Sequence, residues 1–225
     1  MQAKRYGIIY EDAELLVVDK PSGMLVIPTP KKETNTLTDL LNRELDARGV
    51  EANAYPCHRL DRETSGLIIY AKGKAVQQFL MDEFKRRLVK KTYIAFVQGA
   101  VKGPSGTITR NIYDKSKARS IPAVTKYKIS ERKGDFSVLE VEPVTGRTNQ
   151  IRIHLKDIGH PIVGESLYAF RKDYKLRFKR VALHAHRIEF KHPVTKGRVS
   201  FESPLPMDMK DFLLSTTHGP RSIKA

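Results

Sequence analysis

The chain has 225 residues, 40% hydrophobic and 29% charged, enough to bury a sizeable core and typical of a globular composition. Forty-one lysines and arginines against 25 acidic residues leave a formal charge of +16, so a polyanion, nucleic acid above all, is the leading expectation for a partner. The one cysteine, Cys57, excludes an intramolecular disulfide and a thiolate zinc cluster, and no apolar run nears the roughly 20 residues that span a bilayer. The short apolar runs at the N-terminus meet acidic residues within a few positions, unlike a signal peptide, so a cytoplasmic protein that engages no membrane is expected.

The predicted elements run in chain order as follows. IIYEDAELLVVDK reads as two short strands around an acidic turn, and KPSG turns the chain out of the second at Pro21 and Gly23. Leu37, Leu40, Leu41 and Leu45 predict a helix over residues 36–48, with Thr36 and Asp39 as a capping box and Gly49 beyond its end. A loop carrying CHRLDRETSG leads into the strand LIIYA. A second helix is expected over residues 75–88, with Val76, Phe79, Leu80, Phe84 and Leu88 on one side. KTYIAFVQG, GTITRNI, AVTKYKIS and FSVLEVEP then read as strands and hairpins. Ile151, His154, Leu155 and Ile158 restore a helical period, with Thr148 as the expected N-cap and Gly159 at the stop. ALHAHRIEF and GRVSFESP read as a late strand pair, PMDMKDFLLS as a terminal helix, and residues 216–225 as a frayed tail. Strands and helices mix without a regular βαβ alternation, which favours one α+β domain over residues 1–215, its mixed sheet mostly antiparallel and flanked by helices.

The excess charge is clustered. Residues 1–84 are close to neutral, whereas residues 85–133 hold 14 basic side chains against Asp114 and Glu131, and residues 171–180 hold six against Asp173. These two segments read as phosphate-holding parts, separate in sequence from the near-neutral part that carries the most unusual motif. Within the first, Arg110, Lys115, Lys117 and Arg119 are the expected RNA phosphate contacts.

That motif is HRLDRETSG, residues 58–66. Asp61 lies between Arg59 and Arg62, and cations beside a carboxylate keep it ionised even in a water-poor pocket, as a carboxylate nucleophile or base requires. In TGRTNQIR, residues 145–152, Arg147 and Arg152 sit around a predicted helix N-terminus, an arrangement suited to an anion. Cys57 and His58 are adjacent on an extended segment and point apart, so they make a poor nucleophile and base pair. His184, His186 and His192, with His154 and His160, have no accompanying carboxylate at a familiar metal spacing, and no metal is expected. Gly-rich nucleotide loops are missing, so no cofactor is expected.

Taken together, KPSG (20–23), CHRLDRETSGLIIYAK (57–72), Lys91-Thr92-Tyr93 with Gly99, TGRTNQIRIHL (145–155), GHPIVGESLY (159–168) and LHAHRIEFKHP (183–193) resemble, in order, the motifs of the RluA-type family of RNA pseudouridine synthases. The resemblance implies the pseudouridine synthase fold and cofactor-free isomerisation of uridine in ribosomal or transfer RNA, with no separate S4-type RNA-binding module and a monomeric state. It implies Asp61 as the essential carboxylate, Tyr93 as the residue stacking on the base, Arg152 as the counter-ion of Asp61, and Arg59 as the base-flipping aid, with Arg62 and Arg147 also facing RNA. Asp61 is then expected to titrate below about 4, held there by arginine, while Tyr93 could titrate between neutral and mildly alkaline pH. The competing class is a non-catalytic RNA-binding or ribosome-assembly protein on the same fold. Asn149, Glu165 and Ala169 depart from the family's usual histidine, aspartate and glycine. They are expected to alter helix capping and loop shape, not the reaction.

Overall fold

Apolar alternation decides how the central strand is used. In β4 (Ser65–Ala71) every residue is buried. Leu67, Ile69 and Ala71 join one apolar layer while Ile68 and Tyr70 join the other, so the strand is covered on both faces. In the computed structural model, which describes residues 6–114, 117–169 and 176–215, β4 belongs to one ten-stranded sheet.

The sheet opens with a meander, β1 (Gly7–Glu11) and β2 (Leu15–Lys20), and β2 pairs antiparallel with β4. The short β3 (Tyr55–Pro56) pairs with the far end of β4. Along the main path the order continues β4, β9 (Leu183–Lys191), β5 (Lys90–Gln98), β8 (Phe136–Pro143), β7 (Arg119–Lys133), β6 (Ser105–Asp114), with β10 (Arg198–Glu202) joined to β9. All pairings are antiparallel except β4 with β9, which run parallel over Ser65↔His184 and Gly66↔Ala185. The α+β expectation, with a mixed and mostly antiparallel sheet, therefore holds.

Among the described residues, four helices cover the sheet. Helix α1 (Leu37–Ala47) starts on the expected capping box. The Thr36 hydroxyl accepts from the Asp39 N–H, the Asp39 carboxylate accepts from the Thr36 N–H, and Leu37, Leu41 and Leu45 enter the layer that contains Ile68 and Tyr70. Helix α2 (Lys74–Lys85) sets Leu80 against the opposite layer. It stops three residues before the expected end, because Arg87 turns left-handed at φ 62° and leaves Leu88 exposed. Helix α3 (Gln150–Asp157) contributes Ile151 and Leu155, and α4 (Met207–Ser215) contributes Met209, to the larger layer.

The N-cap of α3 is Asn149, not Thr148. Its backbone is left-handed at φ 53°, and its side chain makes no cap bond. The side chain that anchors the helix start is that of Gln150, buried at 3% exposure. Its Oε1 accepts from the Thr145 hydroxyl at 2.6 Å and the Arg147 N–H at 3.1 Å, and its Nε2 donates to the Val124 carbonyl and Thr125 Oγ1, both at 2.9 Å. Gln150 thereby fixes the start of α3 to β7, and the side chains of the first turn are aimed by a tertiary contact.

The parallel junction of β4 and β9 is equally constrained. Gly66 has φ +108°, and a Cβ there would overlap the Ala185 carbonyl oxygen. Glycine at this position lets two backbones meet at the foot of the loop that carries Asp61.

Candidate active site

The loop between β3 and β4 carries HRLDRETSG, and the KPSG turn after β2 cradles it. The Gly23 N–H donates to the Arg62 carbonyl at 2.8 Å, and the Ser22 hydroxyl donates to the Glu63 carbonyl at 2.7 Å. The Lys20 ammonium is fully buried and donates to the carbonyls of Pro21, Met24 and Arg62 at 2.9, 3.0 and 3.2 Å. Burial drives its pKa down to about 7, while the charge of Asp61 pulls the other way. Thr64 closes the turn by donating its N–H to the Asp61 carbonyl at 3.1 Å. Two loops far apart in sequence are thus bound into one platform, and its product is the placement of Asp61.

Asp61 is half-buried at a cavity of about 510 Å³, a volume that suits a nucleotide. The lining combines residues of this loop with Tyr93 of β5, the α3 entrance from Thr145 to Arg152, and the segment after α2. Tyr93, 9% exposed, lies where β5 shifts register against β9, a bulge that re-aims side chains beside the cavity. Asp61 is the only carboxylate among the described residues that line it.

The electrostatics differ from the expectation in direction. Burial raises the Asp61 pKa above the ordinary carboxylate value. Arg152, Arg59 and Lys20 lower it, Glu165 adds to the rise, and burial prevails. The expected depression fails because burial outweighs the three cations, and the strongest of them, Arg152, also has a carboxylate partner of its own. Its Nε donates to Glu165 Oε2 at 2.7 Å and its Nη2 to Glu165 Oε1 at 2.8 Å, with Glu63 Oε2 3.7 Å away. Arg152 acts on Asp61 through space, as one of several charges. Tyr93 is pushed well above the ordinary phenol range by burial and by the Asp61 charge, so it does not titrate near neutrality as expected.

Asn149 turns out to touch the carboxylate. With its amide oriented for donors to meet acceptors, Nδ2 donates to Asp61 Oδ2 at 2.7 Å and Oδ1 at 3.2 Å, and Oδ1 accepts from the Tyr168 hydroxyl at 2.8 Å. The Tyr168 ring lies 5.4 Å from the Arg152 guanidinium carbon, and the Tyr168 N–H donates to Glu165 Oε1 at 3.2 Å. Asn149 and Glu165, expected to alter helix capping and loop shape and not the reaction, are both part of the polar network around Asp61.

Of the other sequence-derived site residues, Arg59 and Arg147 line the cavity. Arg62 does not. It is exposed and donates from Nε to the Gly23 carbonyl at 3.0 Å, so it helps hold the loop platform. Arg110, Lys117 and Arg119 sit on or beside the β6–β7 hairpin, outside the cavity lining, and Lys115 lies outside the described residues. Lys85, Arg87 and Lys91 do line the cavity. The reactive and the basic segments are therefore not separate, because the start of the basic stretch folds onto the cavity wall. A sequence signal for Lys91 existed in its spacing of two from Tyr93, which puts both on one face of a strand.

Other reactive groups are held inert. Burial pushes the Cys57 thiol up to about 12, and burial with the nearby Lys91 charge pushes His58 down to about 3. His58 Nε2 accepts from the Ile69 N–H at 3.1 Å. His184 bonds Ser65 Oγ and the Ser203 carbonyl, His186 bonds that same carbonyl, and His192 bonds Asp12. Neither Cys57 nor His58 is therefore charged in the cavity at neutral pH.

Solved structures share this architecture. The human RNA pseudouridylate synthase domain containing 4 superposes with a TM-score of 0.79 at 22% identity, covering 94% of this chain and 92% of that one. The human RNA pseudouridylate synthase domain containing 1 gives 0.72 at 25% identity, covering 96% of both. The fold is that of the pseudouridine synthases.

At the level of sequence, residues 14–157 match the family described as RNA pseudouridylate synthase. The uncharacterized RNA pseudouridine synthase YlyB of Bacillus subtilis is 39% identical over 217 residues, covering 92% of this chain and 71% of that protein. The chain belongs to the RluA-type RNA pseudouridine synthases, isomerases that convert uridine in RNA to pseudouridine. Membership decides against the non-catalytic alternative.

Proposed function

We propose that this enzyme modifies uridines of ribosomal RNA, flipping each target base into the cavity and using Asp61 as the essential carboxylate. One observation carries the reading: among the described residues Asp61 is the single carboxylate on a nucleotide-sized cavity, and Cys57 and His58 beside it are held uncharged near neutrality. The reaction breaks the C1′–N1 bond, turns the base, forms a C1′–C5 bond and moves the C5 proton to N1. An anion beside the sugar and ring serves each of these changes, as nucleophile or as base.

The remaining roles follow from position. Tyr93 packs beside the flipped base. Arg152 tempers the charge of Asp61. Arg59, exposed at the rim on the Asp61 loop, fills the place the base leaves, which offsets an unstacking cost of a few kcal/mol. Arg147 with Lys85, Arg87 and Lys91 holds phosphates at the cavity wall, and Arg110, Lys115, Lys117 and Arg119 hold phosphates along the hairpin.

Support for ribosomal over transfer RNA comes from relatives. The ribosomal large subunit pseudouridine synthase D of Neisseria meningitidis is 36% identical over 223 residues, covering 92% of this chain and 60% of that protein. Mapping pseudouridines in cells with and without the enzyme tests this. Sites missing from large-subunit ribosomal RNA when the enzyme is absent are expected, and losses confined to transfer RNA would overturn it. Charge reversal of Arg110, Lys117 and Arg119 should flatten the salt dependence of RNA binding by roughly 0.7–0.9 for each phosphate no longer neutralised. An unchanged slope would remove the hairpin from the interface.

A further inference from the structure

We propose that Asn149 is a positioning residue for Asp61, whose amide holds the carboxylate in its reactive orientation and supports its ionised form. The proposal rests on Asp61 acting as the essential carboxylate, and goes beyond it by assigning the group that aims it.

The geometry is specific. Both Asp61 oxygens face one amide nitrogen, at 2.7 and 3.2 Å, and the opposite side of the amide is fixed by the Tyr168 hydroxyl at 2.8 Å. A carboxylate only accepts, so Asp61 selects the orientation that turns the NH2 toward it, and the Tyr168 hydroxyl, able to donate or accept, then donates to Oδ1. The backbone contributes as well. Asn149 sits at φ 53° and ψ 21°, a left-handed conformation that asparagine tolerates, and Gln150 pins the next residue to β7. Asn149 makes no capping bond there, so its side chain is left to the carboxylate.

The charges around Asp61 show why an amide is useful. Arg152 on α3, Arg59 on the same loop and Lys20 on β2 favour the carboxylate. Glu165 opposes it, as does burial, and Tyr93 on β5 faces it. Arg152 is paired in bidentate fashion with Glu165, with Glu63 3.7 Å away, so much of its charge is already matched. A short donor bond from Asn149 stabilises the ionised form without adding a further cation to the cavity.

Three variants test this. Asn149→Gly removes the amide while keeping the left-handed backbone free of strain. Asn149→Asp preserves size and backbone preference and opposes one carboxylate with another. Tyr168→Phe removes only the hydroxyl that bonds the amide oxygen of Asn149. The readouts are the titration of the Asp61 carboxyl carbon by NMR and the acid limb of single-turnover pseudouridine formation.

Asn149→Gly is expected to raise the Asp61 titration by roughly one pH unit, so that rates on the acid limb fall about tenfold. Asn149→Asp should raise it further, and Tyr168→Phe by less. Chemical shifts of α3 amides verify that each variant keeps its fold. An Asp61 titration unmoved in both Asn149 variants would overturn the proposal and leave the role of Asp61 standing. A titration that moves while the acid limb does not would instead overturn the role of Asp61.

Discussion

Glu165→Gln replaces one member of a buried ion pair by a group of the same shape. Glu165 is 4% exposed and Arg152 6%, and both oxygens of the carboxylate are engaged. Oε2 takes Arg152 Nε at 2.7 Å, while Oε1 takes Arg152 Nη2 at 2.8 Å and the N–H groups of Ser166, Leu167 and Tyr168 at 3.0, 2.7 and 3.2 Å. Burial works against this charge, and the arginine and backbone donors overcome it, leaving the Glu165 pKa below the ordinary carboxylate value. Its contribution is therefore present above the unfolded carboxylate pKa and lost as pH falls through the lower folded value.

Glutamine offers one oxygen where two are needed and turns an NH2 toward a donor. Removing one partner of a buried pair typically costs about 3–5 kcal/mol, a large share of the roughly 5–15 kcal/mol that holds a domain together. In urea at pH 7 the unfolding midpoint should fall by at least about 1 M for Glu165→Gln. Glu165→Asp keeps the charge and should lose less. Activity adds a second, independent sign. With the Glu165 charge gone and Arg152 unmatched, the Asp61 pKa falls, so the acid limb of the rate profile should move to lower pH, opposite to the Asn149 variants. A variant as stable as wild type at pH 7, with an unmoved acid limb, would refute the account of this network.

Two further outcomes probe the scaffold. Gly66→Ala forces a Cβ onto the Ala185 backbone at φ +108°, and strain with overpacking should cost roughly 3–5 kcal/mol by denaturant titration. A loss below about 1 kcal/mol would mean that the β4–β9 junction yields easily. For Lys20, the ordinary pKa of 10.5 drops to about 7 in the fold. The unfolded chain then holds a proton the native state lacks between those values, and wild-type stability should climb with pH across that window relative to Lys20→Met. The difference in slope should approach about 1.4 kcal/mol per pH unit, and parallel curves would contradict it.

How much the sequence reveals depends on how local each feature is. The α1 capping box is a contact between Thr36 and Asp39, three residues apart, and both of its hydrogen bonds form. The flanking arginines mark Asp61 as a carboxylate of interest, and the ordered motifs lead to the fold. Features that need a distant partner are hidden. Thr148 looks like a cap because nothing local shows that Gln150 reaches back to β7. The neighbouring arginines point the Asp61 pKa in the wrong direction because burial is a tertiary quantity and because Glu165, 13 residues from Arg152, engages that arginine. Lys85, Arg87 and Lys91 read as part of a general basic stretch, yet α2 ends early and brings them to the cavity wall. The parallel contact between β4 and β9 joins residues 119 positions apart and leaves no periodic trace.

The proposed role of Asp61 in the isomerisation is open to direct test. RNA from cells lacking the enzyme, incubated with wild type or Asp61→Asn and read for pseudouridine at the sites gained, tests it most directly. Wild type should form pseudouridine at discrete ribosomal sites. Asp61→Asn should bind the same RNA with similar affinity, melt no lower at pH 7 because a carboxylate disfavoured by burial has gone, and form none. Pseudouridine formation by Asp61→Asn at the wild-type rate would contradict the account.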